Sequence, residues 1–316
     1  MSKRILITGG AGCLGSNLVE HFFLKGFEIL VIDNFATGKK EVIPEQERLK
    51  VVEGDISDEL LIDKAFYDFK PEYVIHSAAA YKDPSDWIED SKTNILGTIN
   101  VVKSSVKFKV KRLINFQTAL CYGRPNQVPI PVNHSTKPFT SYGISKTAGE
   151  AYLVNSELPT ISLRLANICG PRLAIGPIPT FYKRLKAAQN CFCSETVRDF
   201  LDMSDFFKLI DLVIMDDSPT GVFNVSTGLG HSIYDVYQAV CNYLNIEPPE
   251  VPIVPVGDDD VPEVVLDPSE TERAFNWNAL VDFQSTISNQ LEWYDKYGIN
   301  DIYSHLAAPR ETPETL

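Results

Sequence analysis

Short apolar runs of strand length recur along the chain, separated by stretches in which apolar and polar residues alternate at helical spacing. The runs fall at 5–8, 29–33, 49–53, 73–77, 112–117 and 160–165. Strand and helix signals in strict alternation predict βαβ units that build one parallel sheet. Odd and even positions of these runs are both apolar, as strands covered by helices on each face require. The expected fold is therefore α/β, a Rossmann-type doubly wound parallel sheet over residues 1–166. Beyond it the pattern loosens: prolines crowd at Pro171, Pro177 and Pro179, and residues 251–268 are rich in Pro, Asp and Val. Residues 167–316 are expected to form mainly a smaller mixed α/β lobe for substrate, interleaved with the first. Within it Val222-Phe223-Asn224-Val225 reads as a strand that returns to the main sheet. No repeat of 20 to 50 residues is visible, and 308–316 reads as a polar tail.

Composition narrows the partners. A chain of 316 residues with 44% hydrophobic content can fill one large α/β unit and a small companion. A net charge of -13 offers no broad cationic field, so nucleic acid is excluded as a partner. A small anion remains possible, because helix N-termini and a few Arg side chains can hold a diphosphate inside an acidic protein. No apolar signal core precedes the first run, and no stretch approaches the ~18 apolar residues that a membrane span needs. A cytoplasmic protein with no membrane span is expected. The six cysteines lack paired metal spacing, and the C-x-C of Cys191 and Cys193 reads as two small semi-buried residues. Thiols and no metal are expected.

Gly9, Gly12 and Gly15 follow the first run at G-x-x-G-x-x-G spacing, and a helix is predicted from about Leu14. Without side chains at Gly9 and Gly12 the backbone N–H groups of this loop, including those of Cys13 and Leu14, can approach a pyrophosphate, while Gly15 lets the helix lie close to the strand. The second run ends at Asp33, 18 residues past Gly15, where a carboxylate accepts the adenosine ribose hydroxyls and selects NAD over NADP. The alternative reading is an Asp opening a loop before Asn34, and the nearby Lys39 and Lys40 would soften rejection of a 2′-phosphate.

Tyr142 and Lys146 stand four residues apart in a helical pattern, which places them on one helix face. An ammonium beside a phenol stabilises the phenolate, and a positively charged nicotinamide adds to that, so Tyr142 is expected to act as a base well below its ordinary value of about 10.

With these residues the chain resembles the extended short-chain dehydrogenase/reductase family, and within it the nucleotide-sugar epimerases. The resemblance covers nearly the whole chain. It is carried by the glycine loop, Tyr142-x-x-x-Lys146, Gly54-Asp55-Ile56, His76-Ser77-Ala78-Ala79, Asn94-Ile95-Leu96-Gly97-Thr98, Phe116-Gln117-Thr118-Ala119-Leu120-Cys121-Tyr122-Gly123, Leu165-Ala166-Asn167-Ile168-Cys169-Gly170-Pro171-Arg172 and Arg198-Asp199-Phe200. It implies NAD contacts at Asn34, Gly38, Asp55, Ile56, Ser77, Ala78, Ala79 and Asn94 as well as at Tyr142 and Lys146. It also implies that Thr118 hydrogen-bonds the reacting sugar oxygen, that Arg198 grips the substrate diphosphate, and that Asn167 touches that diphosphate or serves a turn. A nucleotide-diphosphate sugar, UDP-linked by analogy, and a homodimer are further implications.

The chain departs from the family pattern at two places. No Arg stands in Pro255-Val256-Gly257-Asp258-Asp259-Asp260, where relatives carry a second diphosphate clamp, and no glycine-rich turn precedes Arg198. The expected activity is epimerisation by transient oxidation at C4 and hydride return. A nucleotide-sugar 4-reductase or dehydrogenase shares the same motifs, and a non-catalytic dinucleotide sensor is a third class. A 4,6-dehydratase would carry Asp-Glu after Thr118, where this chain has Ala119-Leu120.

Overall fold

In this computed structural model residues 3–43, 46–81, 83–257 and 260–299 are described. The expected tail at 308–316 lies outside the described residues, as do Asp258 and Asp259 of the acidic run. In chain order the first half comprises β1 (Arg4–Thr8), α1 (Cys13–Leu24), β2 (Glu28–Asp33), β3 (Leu49–Glu53), α2 (Glu59–Phe69), β4 (Tyr73–His76) and α3 (Trp87–Ser91). A π-helical turn (Lys92–Gly97), α4 (Thr98–Lys107), β5 (Arg112–Thr118), α5 (Ser141–Val154) and β6 (Thr160–Leu165) complete it. Expected and observed strands agree to within a residue or two. The fourth stops at His76, leaving Ser77 in the following loop, and α1 starts at Cys13 because Gly12 is extended and caps it.

All of these strands pair in parallel. A seventh strand, Gly221–Val225, docks on β6 in register Val222↔Ser162 through Val225↔Leu165, so the expected return to the main sheet occurs. The order across the sheet is Gly221–Val225, β6, β5, β4, β1, β2, β3. Direction of winding reverses between β1 and β4, where Thr8 lies opposite His76. Crevices at such switch points, outside the carboxyl ends of the strands, receive ligands in doubly wound folds.

Period-two alternation sends Ile5, Ile7, Ile29, Val31 and Ile75 into one buried cluster and Leu6, Leu30, Ile32 and Val74 into another. The sheet is thus covered on both faces. A separate apolar cluster gathers around Phe181, Tyr237 and Tyr294, from the helices Pro177–Lys186, Ile233–Tyr243 and Phe283–Tyr297. Short strands such as Val197–Arg198 and His231–Ser232 pair beside it. Among the described residues no helix is long and apolar enough to cross a membrane.

Candidate active site

The glycine loop leaves β1 at the switch point. Gly9 has φ +66, and a Cβ there would fall 2.6 Å from the Ala78 backbone, so a side chain would push away the loop after β4. A Cβ on Gly15 would fall 2.1 Å from the Gly9 carbonyl oxygen, which forces α1 to rest directly on the loop. The hydrogen-bond ladder of α1 opens with Ser16 N donating to Gly12 O, and no side chain caps the helix. The N–H groups of Cys13, Leu14 and Gly15 therefore precede the ladder and present the positive end of the helix dipole. An anion fits this end, and the close backbone approach leaves room for a pyrophosphate.

Asp33 closes the cradle on the β2 side. One carboxylate oxygen accepts Ala11 N at 2.8 Å and the other Phe35 N at 2.8 Å. Each oxygen retains a second lone pair for a ribose hydroxyl. Burial pushes the carboxyl above its ordinary range, against the two backbone hydrogen bonds. Asn34 is exposed, its side chain accepting Ala36 N, and Gly38 packs against Ala11. Asp55 accepts Ser57 N and pairs with Lys92 at 2.8 Å, while Ile56 is buried. Ser77, Ala78 and Ala79 run from β4 past the glycine loop. Asn94, buried in the π-helical turn, accepts Ala80 N and donates to Ala80 O and to Ser145 Oγ on α5.

Thr118 ends β5 and α5 carries Tyr142 and Lys146 one turn apart. Gln117 connects them: its side-chain nitrogen donates to Lys146 O at 3.0 Å and its oxygen accepts Thr118 N at 2.7 Å. The Thr118 hydroxyl accepts Leu120 N, which leaves its own hydrogen for donation elsewhere. Lys146 is 4% exposed, yet among the described residues its ammonium has no hydrogen-bond or ion-pair partner. Burial of the side chain lowers Lys146 to about 8, with Glu150 opposing. Such a group fits a site completed by hydrogen-bond acceptors of a ligand, such as ribose hydroxyls.

From the chain's own groups the Tyr142 phenol is raised, chiefly by burial and then by Tyr81 and Asp90, whereas the sequence expectation of a lowered phenol includes the charge of a bound nicotinamide. Among the described residues, Tyr81 and Asp90 act in the same direction as burial and oppose its ionisation. Tyr81 and Asp90 carried no sequence signal. Tyr81 sets its ring edge-on to Tyr142 at 6.3 Å between centroids, and Asp90 is buried beside Ser141 on a helix that the fold brings against α5.

The two residues expected at the diphosphate are both engaged by protein groups. Arg198 is already engaged by protein: it donates to Asp260 Oδ1 at 2.7 Å and to Val197 O at 2.8 Å. The acidic run that lacks a second Arg thus supplies a carboxylate to the first. Asn167 is exposed on a short strand, its side-chain nitrogen donating to Asp199 O at 2.9 Å. Among the described residues no cluster of His, Cys, Asp or Glu could hold a metal.

Residues 5–226 match the family model of the NAD dependent epimerase/dehydratase family. Among solved structures the chain is similar to WbmG of Bordetella bronchiseptica, crystallised with NAD and UDP: identity is 65%, the match covers 98% of this chain and 100% of that one, and the TM-score is 0.93. It is also similar to the UDP-glucose 4-epimerase of Thermotoga maritima with UDP-glucose, at 27% identity, 93% and 99% coverage and a TM-score of 0.85. A curated UDP-glucose 4-epimerase of Halalkalibacterium halodurans is 25% identical, over 93% of this chain and 96% of its own length.

Proposed function

Because the chain belongs to the NAD-dependent epimerase/dehydratase family, we propose that it inverts C4 of a UDP-linked sugar, with no net change of redox state. The observation that carries this reading is Lys146, largely buried one turn from Tyr142, joined through Gln117 to Thr118 and close enough to His76 at the switch point to act on it by charge. Bound in the cradle, NAD supplies a hydride acceptor and a positively charged ring.

The chain's own residues then divide the work. The open N–H groups at the start of α1 hold the diphosphate of the dinucleotide, and Asp33 takes its adenosine ribose hydroxyls. Lys146 holds the second ribose and lends positive charge to Tyr142. Burial, then Tyr81 and Asp90, hold Tyr142 as a phenol in the chain alone, so its conversion to a base rests on the positive charge that the Lys146 ammonium and the bound nicotinamide bring together. The phenolate oxygen removes the O4 proton as C4 becomes a ketone, and returns it when C4 is reduced from the other face. Thr118 donates its free hydroxyl hydrogen to the same oxygen. Residues 167–316, apart from the strand in the main sheet, supply the substrate side, with Arg198 at the diphosphate once Asp260 yields. The UDP carrier is supported by the UDP bound to WbmG and by the names of the epimerases that resemble the chain.

The test is to incubate the purified enzyme with UDP-sugars and no added cofactor, following sugars by NMR and free NADH by absorbance. An inverted sugar without free NADH supports the reading. Strict dependence on added NADH, or steady NADH release, would instead identify a 4-reductase or dehydrogenase.

A further inference from the structure

We propose that His76 is a positioning residue: as the neutral tautomer with its hydrogen on Nε2, it completes a one-directional hydrogen-bond chain that holds the cofactor-facing loop and the π-helical turn in place against α5. The inference rests on the reading above, in which that loop and that turn wall the NAD site.

His76 is fully buried at the end of β4, opposite Thr8 of β1. Its Nδ1 lies 2.8 Å from the Thr8 hydroxyl and its Nε2 2.9 Å from the Thr98 hydroxyl. Distances alone leave the tautomer open. The outer bonds decide it. Thr98 Oγ lies 2.7 Å from the Asn94 carbonyl oxygen, which can only accept, so the single hydroxyl hydrogen of Thr98 is spent there. Thr98 Oγ must then accept from His76, and Nε2 carries the hydrogen. At the other end the Ala78 N–H donates to Thr8 Oγ, leaving the Thr8 hydroxyl hydrogen for Nδ1. Every donor in the sequence Ala78 N, Thr8 Oγ, His76 Nδ1 and Nε2, Thr98 Oγ, Asn94 O then points the same way.

A second proton on the ring would break this order, because Nδ1 would compete with the Thr8 hydrogen. Burial, and then the charge of Lys146, lower His76 to about 3. The ring therefore stays neutral beside the ammonium that the chemistry needs. The two ends of the chain are functional walls. Ala78 sits against Gly9, and Asn94 bonds both Ala80 and Ser145, whose hydroxyl donates to Tyr142 O. The π-helical turn brings Asn94 to this place.

The experiment has two arms on the full chain loaded with NAD. Long-range proton–nitrogen correlation, with the His76 signal assigned by its loss in His76→Phe, is expected to show an Nε2–H imidazole that does not titrate between about pH 5 and 9. An Nδ1–H tautomer, or titration in that range, would overturn the proposal. This arm needs no substrate, so it stands or falls apart from the identity of the reaction. In the second arm His76→Phe keeps ring volume but removes both bonds. Turnover is expected to fall about 10- to 100-fold through misplacement of the walls, and His76→Gln, with one donor and one acceptor, to recover most of it. Wild-type turnover in His76→Phe, or a Gln variant no better than Phe, would contradict the assignment.

Discussion

At Lys146 two opposing effects act on one ammonium: burial lowers it from 10.5 to about 8, and Glu150 one turn along α5 pulls it back. A lysine lowered in this way is charged below about pH 8 and neutral above it. Because the proposed reaction makes Tyr142 depend on that charge, kcat/KM is expected to fall as pH rises through about 8, and Lys146→Arg, always charged, should move whatever activity it keeps past that limb. An unshifted limb in the Arg variant would assign the titration to another group. Tyr142→Phe removes only the transferable proton while retaining the ring. It should keep NAD bound and lower kcat by about 10²- to 10⁴-fold, and turnover within a few-fold of wild type would remove Tyr142 as the base.

Between elements, the buried pair of Glu150 on α5 and Arg164 on β6 ties the helix that carries Tyr142 and Lys146 to the sheet. Arg164 donates to Glu150 at 2.7 Å, and Ser162 donates to the same carboxylate at 2.6 Å. Leaving one buried charge alone costs about 3–5 kcal/mol, so Glu150→Gln should lower unfolding free energy on that order in urea titrations. A loss under about 1 kcal/mol would show that water reaches the pair. The diphosphate element behaves differently. Arg198 on its short strand meets Asp260 in a loop, and Arg198→Ala is expected to raise KM for the sugar nucleotide by about tenfold or more with kcat little changed, since such a contact is uniform binding. Unchanged KM would relocate the diphosphate.

Over the whole molecule, the sequence revealed the sheet more fully than the site. The six strands and the return at Val222–Val225 were legible because apolar residues occupy both alternating faces, and the glycine loop because Gly9 and Gly15 stand where a Cβ cannot. The second half was not, since strands of two residues such as Cys193–Ser194 and Val197–Arg198 carry no period. Tyr81 and Asp90 were hidden for another reason: their influence on Tyr142 exists only after the fold packs their segments beside α5. The same holds for the raised phenol, which helical spacing to Lys146 could not foretell. The proposed reaction makes one central claim, that hydrogen leaves C4 of the sugar and returns to it from the opposite face. Its most direct test is to supply a UDP-sugar deuterated at C4 in ordinary water and read the inverted product by NMR and mass. Return through bound NAD predicts that the inverted sugar keeps its deuterium at C4, whereas deuterium lost to solvent from that position would contradict the account.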